Sequence, residues 1–86
     1  MSLQEDFKNA AERSKTDIKD RPSNEDLLKL YALYKQGDEG DITGERPGGF
    51  DFKAIAKYNA WEELKGKPSE EAMMEYIDLV NKLANA

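Results

Sequence analysis

Residues 27–50 read LLKLYALYKQGDEGDITGERPGGF, and the change of character inside that stretch decides the fold. Its first part is helical. Leu27, Leu30, Tyr31 and Tyr34 recur at three- and four-residue spacing and so fall on one stripe of an α-helix. Ser23 with Asp26 three residues later has capping-box spacing, with Asp in place of the preferred Glu, so the helix is expected to start just past Pro22. Gly37 and Gly40 are its expected stops. From about Gly37 to Phe50 the chain turns to Gly and Asp and carries Pro47, which a continuing helix does not tolerate. So long a loop is unusual in a small domain. Ordered loops of this size are generally functional or packed over the core as compact surface loops.

The flanks are helical as well. Upstream, Leu3, Phe7, Ala10, Ala11, Ser14 and Ile18 make an amphipathic stripe whose alanines allow close helix approach. Downstream, a third helix is expected from about Phe52 to Leu64, ending at Gly66, with Ala54, Tyr58, Trp61 and Leu64 on one face. A fourth begins after Pro68, with Ser69 as its expected N-cap. Glu70 and Glu71 lie at its positive end, and Lys82 lies near the other. Met73, Tyr76, Ile77, Val80 and Leu83 form its stripe. There is no strand-like alternation and no internal repeat. Four such helices can bury one another's stripes only as a bundle, and the long loop permits a crossover, so the expected fold is an all-α, non-sequential four-helix bundle.

With 86 residues the chain makes one domain, expected over 1–86, with a modest core. The hydrophobic share is 38% and the mean hydropathy −0.87, and no apolar run approaches the ~20 residues of a membrane span. Met1 to Lys8 is polar and mixed in charge, without the apolar region of a secretory signal, so a cytoplasmic location is expected. Cysteine and histidine are both absent. That removes disulfides, the strongest nucleophile, the commonest metal ligand and the usual general base, and leaves only carboxylate or lysine chemistry open. A net charge of −5 argues against a general nucleic-acid binder, whose footprint is normally basic.

Lys57 is the most informative single residue, because helical geometry sets it among Ala54, Ala60, Trp61 and Leu64. Two readings stand: its methylene stem lies along the apolar face with the ammonium in solvent, or the ammonium belongs to an anion site. Lys35 speaks for the second, one turn beyond Tyr31 and directly after Tyr34. Phosphates joined to an aromatic base would suit that pairing. Tyr31, Tyr34, Tyr58 and Tyr76 could be core or ligand platform; four tyrosines, each with a hydroxyl to satisfy, point to a partly polar surface. Trp61 is assigned mainly to the core. Asp38, Asp41 and Glu45 do not fit an EF-hand loop, with Thr43 and Arg46 at the wrong positions, and no GKS or GKT follows the glycines.

The ordered series YALYKQ (31–36), ERPG (45–48), AWEELKG (60–66) and YI (76–77) resembles, as a set, the acyl-CoA-binding protein family, with similarity from Phe7 to about Leu83. The resemblance implies an up-down-down-up four-helix bundle with a long crossover between helices two and three. It also implies a monomeric, non-enzymatic carrier and pool former for medium- and long-chain fatty acyl-CoA, needing no cofactor or metal and passing its ligand to enzymes and membranes. Tyr31, Tyr34 and Lys35 would bind the nucleotide end of CoA, and Lys57 a phosphate. Lys15, Lys53 and Tyr76 match further ligand contacts, and Leu28, Ala32, Leu33 and Tyr58 complete the implied set. This chain departs from the family where KQGDEGD replaces the common KQATVGD. Asp38 and Glu39 thereby place two carboxylates near the ligand's expected path, where they would weaken CoA binding. Ile55 stands in place of a lysine, and Tyr58 in place of a tryptophan.

Three other functions compete. A helical adaptor using its tyrosines as a protein-binding surface would be indifferent to CoA esters. An acyl carrier protein would tether cargo through an Asp-Ser-Leu serine, a triplet this chain lacks. An acyl-CoA thioesterase or isomerase would have to work without His or Cys.

Overall fold

Three of the four helices begin where a short polar side chain takes up a free backbone N–H. In the computed structural model, which describes residues 2–85, α1 runs Leu3–Thr16, α2 Asn24–Glu39, α3 Phe52–Glu62 and α4 Ser69–Ala84. Met1 and Ala86, the ends of the domain expected over 1–86, lie outside the described residues. Ser2, Ser23 and Asp51 each accept a bond of 3.1 Å, from the backbone N–H of Glu5, Asp26 and Ala54 respectively. The fourth helix differs from expectation. Ser69 is its first helical residue, not its cap; Pro68 holds the cap position at φ −58, ψ 142 and offers no side-chain bond. Glu70 and Glu71 supply the compensating negative charge in the first turn.

Gly37 was expected to stop α2 and instead lies buried inside it. A Cβ at this position would stand 3.0 Å from Met73 Cγ and 3.1 Å from Phe7 Cζ, so the glycine serves close packing. The stop is Gly40, at φ 84, and the loop therefore runs over 40–51. Two other ends also move inward. The first helix closes at Thr16 and leaves Ile18 half-buried in the linker, while α3 closes at Glu62 and continues as tight turns, with Leu64 N–H donating to Trp61 O at 2.9 Å.

Contacts between helices fix the topology. Lys8 and Phe7 share a cleft with Gly37 and Asp38, and Lys15 shares one with Tyr31, so α1 and α2 are antiparallel. Gln36 bonds to Lys67 and Gly37 lies against Met73, so α2 and α4 are antiparallel too. Lys57 reaches Tyr31 and Trp61 reaches Gln36, which makes α3 parallel to α2. The order is up, down, down, up. A parallel pair requires the chain to travel back along the helix; the crossover can span at most about 40 Å when extended, against about 24 Å for α2.

The buried core is Phe7, Ala10, Leu33, Ala72, Tyr76 and Val80, drawn from α1, α2 and α4. Phe7 stacks on Tyr34 at 5.2 Å and meets Tyr76 edge-on at 5.3 Å. Among the described residues α3 places no side chain in this core. It is held by a polar clasp. Gln36, 0% exposed, donates through Nε2 to Asp41 Oδ1 and Lys67 O, both at 2.8 Å, and accepts at Oε1 from Trp61 Nε1 at 3.1 Å. Trp61 Nε1 also donates to Gly40 O at 3.0 Å, and Asp41 Oδ1 accepts from Gly66 N–H at 2.8 Å. Trp61, assigned mainly to the core from sequence, is thus half-buried at the clasp. Removing the amide strands several polar partners at once, so Gln36→Leu is expected to lower stability by about 1–3 kcal/mol in urea unfolding, although it adds apolar surface.

Candidate functional site

The ring of Tyr31 is the centre of the site. Lys57 Nζ lies 5.2 Å from its centroid and Lys35 Nζ 6.0 Å, and Lys35 is also 5.7 Å from the Trp61 ring. These distances are within cation–π range. Parallel packing of α2 and α3 creates the arrangement, because it brings Tyr31 and Lys35, one turn apart, beside Lys57 and Trp61, also one turn apart. The crossover completes the cleft: Ile42, Thr43 and Pro47 join Tyr31, Ala54, Lys57, Tyr58 and Trp61 around about 240 Å³. Tyr58 is half-buried, and its hydroxyl reaches Gly44 O at 3.5 Å, tying the loop to α3. Burial first, and then Glu62, push its phenol above the usual range.

A second cleft of about 410 Å³ opens between α1 and α2, also against Tyr31, and is lined by Lys15, Leu30, Tyr34 and Tyr76. Lys15 is exposed and faces Glu12 at 3.9 Å. Tyr34 keeps an exposed edge, whereas Tyr76 is 4% exposed and belongs to the core. Its hydroxyl reaches Ser14 Oγ at 3.4 Å, and burial pushes the phenol above its usual range despite that bond. Ser14 in turn donates to Ala11 O at 2.7 Å.

A further groove, about 610 Å³, runs between α2 and α3; Leu28, Ala32 and Leu33 with Ala56, Ala60 and Leu64 make its apolar lining, and Glu25, Lys29, Asn59, Glu63 and Glu75 its polar rim. Leu28 stands about 60° round α2 from Tyr31, and Ala60 about 60° round α3 from Lys57. The apolar groove and the lysine–tyrosine cluster therefore occupy adjoining faces of one helix pair. A ligand with an anionic aromatic head and an apolar tail could lie across both.

The expected site residues thus fall into groups. Tyr31, Lys35, Lys57 and Tyr58 are brought together; Lys15, Tyr34 and Tyr76 meet Tyr31 from the α1 side; Leu28, Ala32 and Leu33 line the groove. Lys53 lines none of these cavities, but it is exposed one turn before Lys57 on the same helix face. Lys57 is exposed and its head sits over the Tyr31 phenol, a placement consistent with a solvent-reaching stem and one that leaves the ammonium open to an anion. Not among the expected residues were Gln36, Asp41 and the loop residues Ile42, Thr43 and Pro47. The available signal for Gln36 was a polar residue on the inward stripe, at helical spacing from Leu33. The loop residues carried no periodic signal.

A family model described as "Acyl CoA binding protein" matches residues 4–80. The chain belongs to the acyl-CoA-binding protein family. It is 49% identical over 86 residues to an acyl-CoA-binding protein of Brassica napus, covering 100% of this chain and 92% of that one. It superposes on the crystal structure of Oryza sativa acyl-CoA-binding protein 2 with a TM-score of 0.92 at 48% identity, covering 98% and 92% of the two chains. It is also 48% identical over 85 residues to enoyl-CoA delta isomerase 2 of Rattus norvegicus, covering 99% of this chain and 22% of that protein. The four-helix family fold expected from sequence is the fold observed.

Two carboxylates of the KQGDEGD segment, Glu39 and Asp38, can now be placed. Glu39 accepts a 2.8 Å bond from Lys35 Nζ, and this bond first, with burial opposing it, holds the ammonium proton more tightly than usual. Asp38 lies instead beside Phe7, Lys8 and Asn9 in the cleft on the α1 side.

Asp41 is held ionised below the ordinary carboxylate range, by the Gly66 N–H first and then by Gln36. A carboxylate whose folded-state pKa is lowered stabilises the fold above the unfolded value of about 4, and that contribution is lost as pH falls through the folded value. Asp41→Asn should therefore lower the urea midpoint at pH 7 and narrow the gap between the midpoints at pH 7 and pH 2. An unchanged gap would remove Asp41 from the acid limb.

Proposed function

We propose that this chain, as a single domain over 1–86, binds medium- and long-chain fatty acyl-CoA esters and serves as a cytoplasmic carrier and pool former. The observation that carries this reading is Tyr31 set between Lys35 and Lys57 beside an apolar groove. The family relationship supports it, and tells against an adaptor indifferent to CoA esters. The adenine stacks on the tyrosine surface of Tyr31 and Tyr34, Lys35 and Lys57 bind phosphates, and Lys15 and Lys53 add charge at the edges. Tyr58 and Tyr76 shape the polar end, while the acyl tail lies along Leu28, Ala32 and Leu33.

The energies divide unevenly. Base stacking on an aromatic side chain is worth about 1–3 kcal/mol, and charge-assisted bonds to phosphate add to it. The tail can exceed both. At about 0.8 kcal/mol per buried CH₂, ten methylenes give roughly 8 kcal/mol before ordering costs. Affinity then rises with chain length until the groove is full.

The protein acts without turnover. Its sequence offers no His or Cys, and it shares only 22% of the length of the isomerase relative. It works as a monomer that needs no cofactor or metal and meets acyl-CoA-using enzymes and membranes transiently. Among the described residues no helix is long and apolar enough to cross a membrane.

Isothermal titration with saturated acyl-CoAs of increasing length should show binding that tightens with length, and much weaker binding of free CoA and of free fatty acid. No binding of any ester to the folded, ligand-free protein would reject the reading. Lys57→Ala is expected to weaken binding about tenfold with helicity retained. Tyr31→Leu should weaken binding while preserving the apolar stripe. A large stability loss without a binding defect would return Tyr31 to the core.

A further inference from the structure

The cations around Tyr31 are not equally available. Lys57 has no carboxylate within 4.0 Å among the described residues, and Lys15 faces Glu12 only at 3.9 Å, but Lys35 Nζ is bonded to Glu39 Oε2 at 2.8 Å. Helix stability does not account for this pair. Glu39 sits in the last turn of α2, where the helix dipole disfavours negative charge, and Lys followed by Glu at i, i+4 is the weaker of the two orders. The pair is also partly exposed, with side-chain exposures of 32% and 49%, so it adds little to folding. What the carboxylate does occupy is the cation best placed between the rings of Tyr31 and Trp61.

We propose that Glu39 is an internal competitor that sets acyl-CoA affinity: it holds Lys35 in the free protein and must give way before a ligand phosphate can use that ammonium. This rests on the reading of the site given above. The neighbour of Glu39, Asp38, has a different place, in the cleft beside Phe7 and Lys8, and acts on Lys35 only through space, without a bond to displace. The consequence is a carrier with a weakened hold on the polar head and an undiminished hold on the tail. Each phosphate that arrives meets a carboxylate to be displaced, and each that leaves is replaced by one.

Glu39→Gln keeps the side-chain shape and removes the charge. Titration of the full chain with hexadecanoyl-CoA at low salt should show the variant binding about 3- to 10-fold tighter than wild type, and Asp38→Asn changing affinity less than about twofold. The gain should shrink in 0.5 M salt, where the Debye length is only a few ångströms. In a Lys35→Ala background, Glu39→Gln should lose most of its effect, since the two residues are coupled through one bond. Equal affinities of wild type and Glu39→Gln overturn the proposal, as does an equal gain from Asp38→Asn, which would make the effect one of net charge. Absence of binding by wild type and variants alike would instead reject the site reading, and this proposal with it.

Discussion

The buried amide of Gln36 is the constraint on which this bundle depends. Three helices make a conventional core of Phe7, Leu33, Tyr76 and Val80, and they would pack against one another without α3. The third helix has no such anchor. Its place is set where the end of α2, the start of the crossover, the end of α3 and the approach to α4 meet on one side chain, through bonds to Asp41, Lys67 and Trp61. A buried polar network of this kind is worth having only when every member is satisfied. Here it is: among the described residues no buried side-chain nitrogen or oxygen lacks a partner.

The clasp explains why the small side chains of α3 can line a groove instead of a core. A helix anchored by its own apolar stripe would bury Ala54, Ala56 and Ala60, and no groove would remain beside Leu28 and Ala32. Because a directional network at one end holds α3, its remaining length can stand off from α2 with its small side chains partly exposed. The parallel run of the two helices follows from the same point. Trp61 fixes the register, and one turn back that register puts Lys57 over Tyr31.

Much of this was legible in the sequence, for reasons specific to each element. The stripes of Leu27, Leu30, Tyr31 and Tyr34 and of Met73, Tyr76, Ile77 and Val80 are periodic signals of the kind that survive into structure, and Pro22, Pro47 and Gly40 punctuate them. Gly37 misled because a glycine near a helix end is locally indistinguishable from a stop; only the approach of Phe7 and Met73 shows what it is for. Ser69 misled because Pro68 had already fixed the cap backbone. The lysines and tyrosines stood out for their odd setting on apolar stripes. Gln36 and Trp61 did not, because the bonds joining them span 25 residues and a crossover, and no local pattern encodes them.

The absence of buried side chains from α3 bears on how the groove is filled. Opening the bundle between α1, α2 and α4 would expose the whole apolar core, whereas displacing α3 uncovers the clasp and the half-buried Ala54, Ile55, Ala56, Tyr58, Ala60 and Trp61, none of them part of that core. Local opening in proteins follows such differences, with the least buried elements parting first. The α3 wall of the groove is therefore also the helix with the least buried surface holding it closed. Such a wall can move aside without opening the core, so a long flexible guest in that groove would not have to thread end-first down a closed tube.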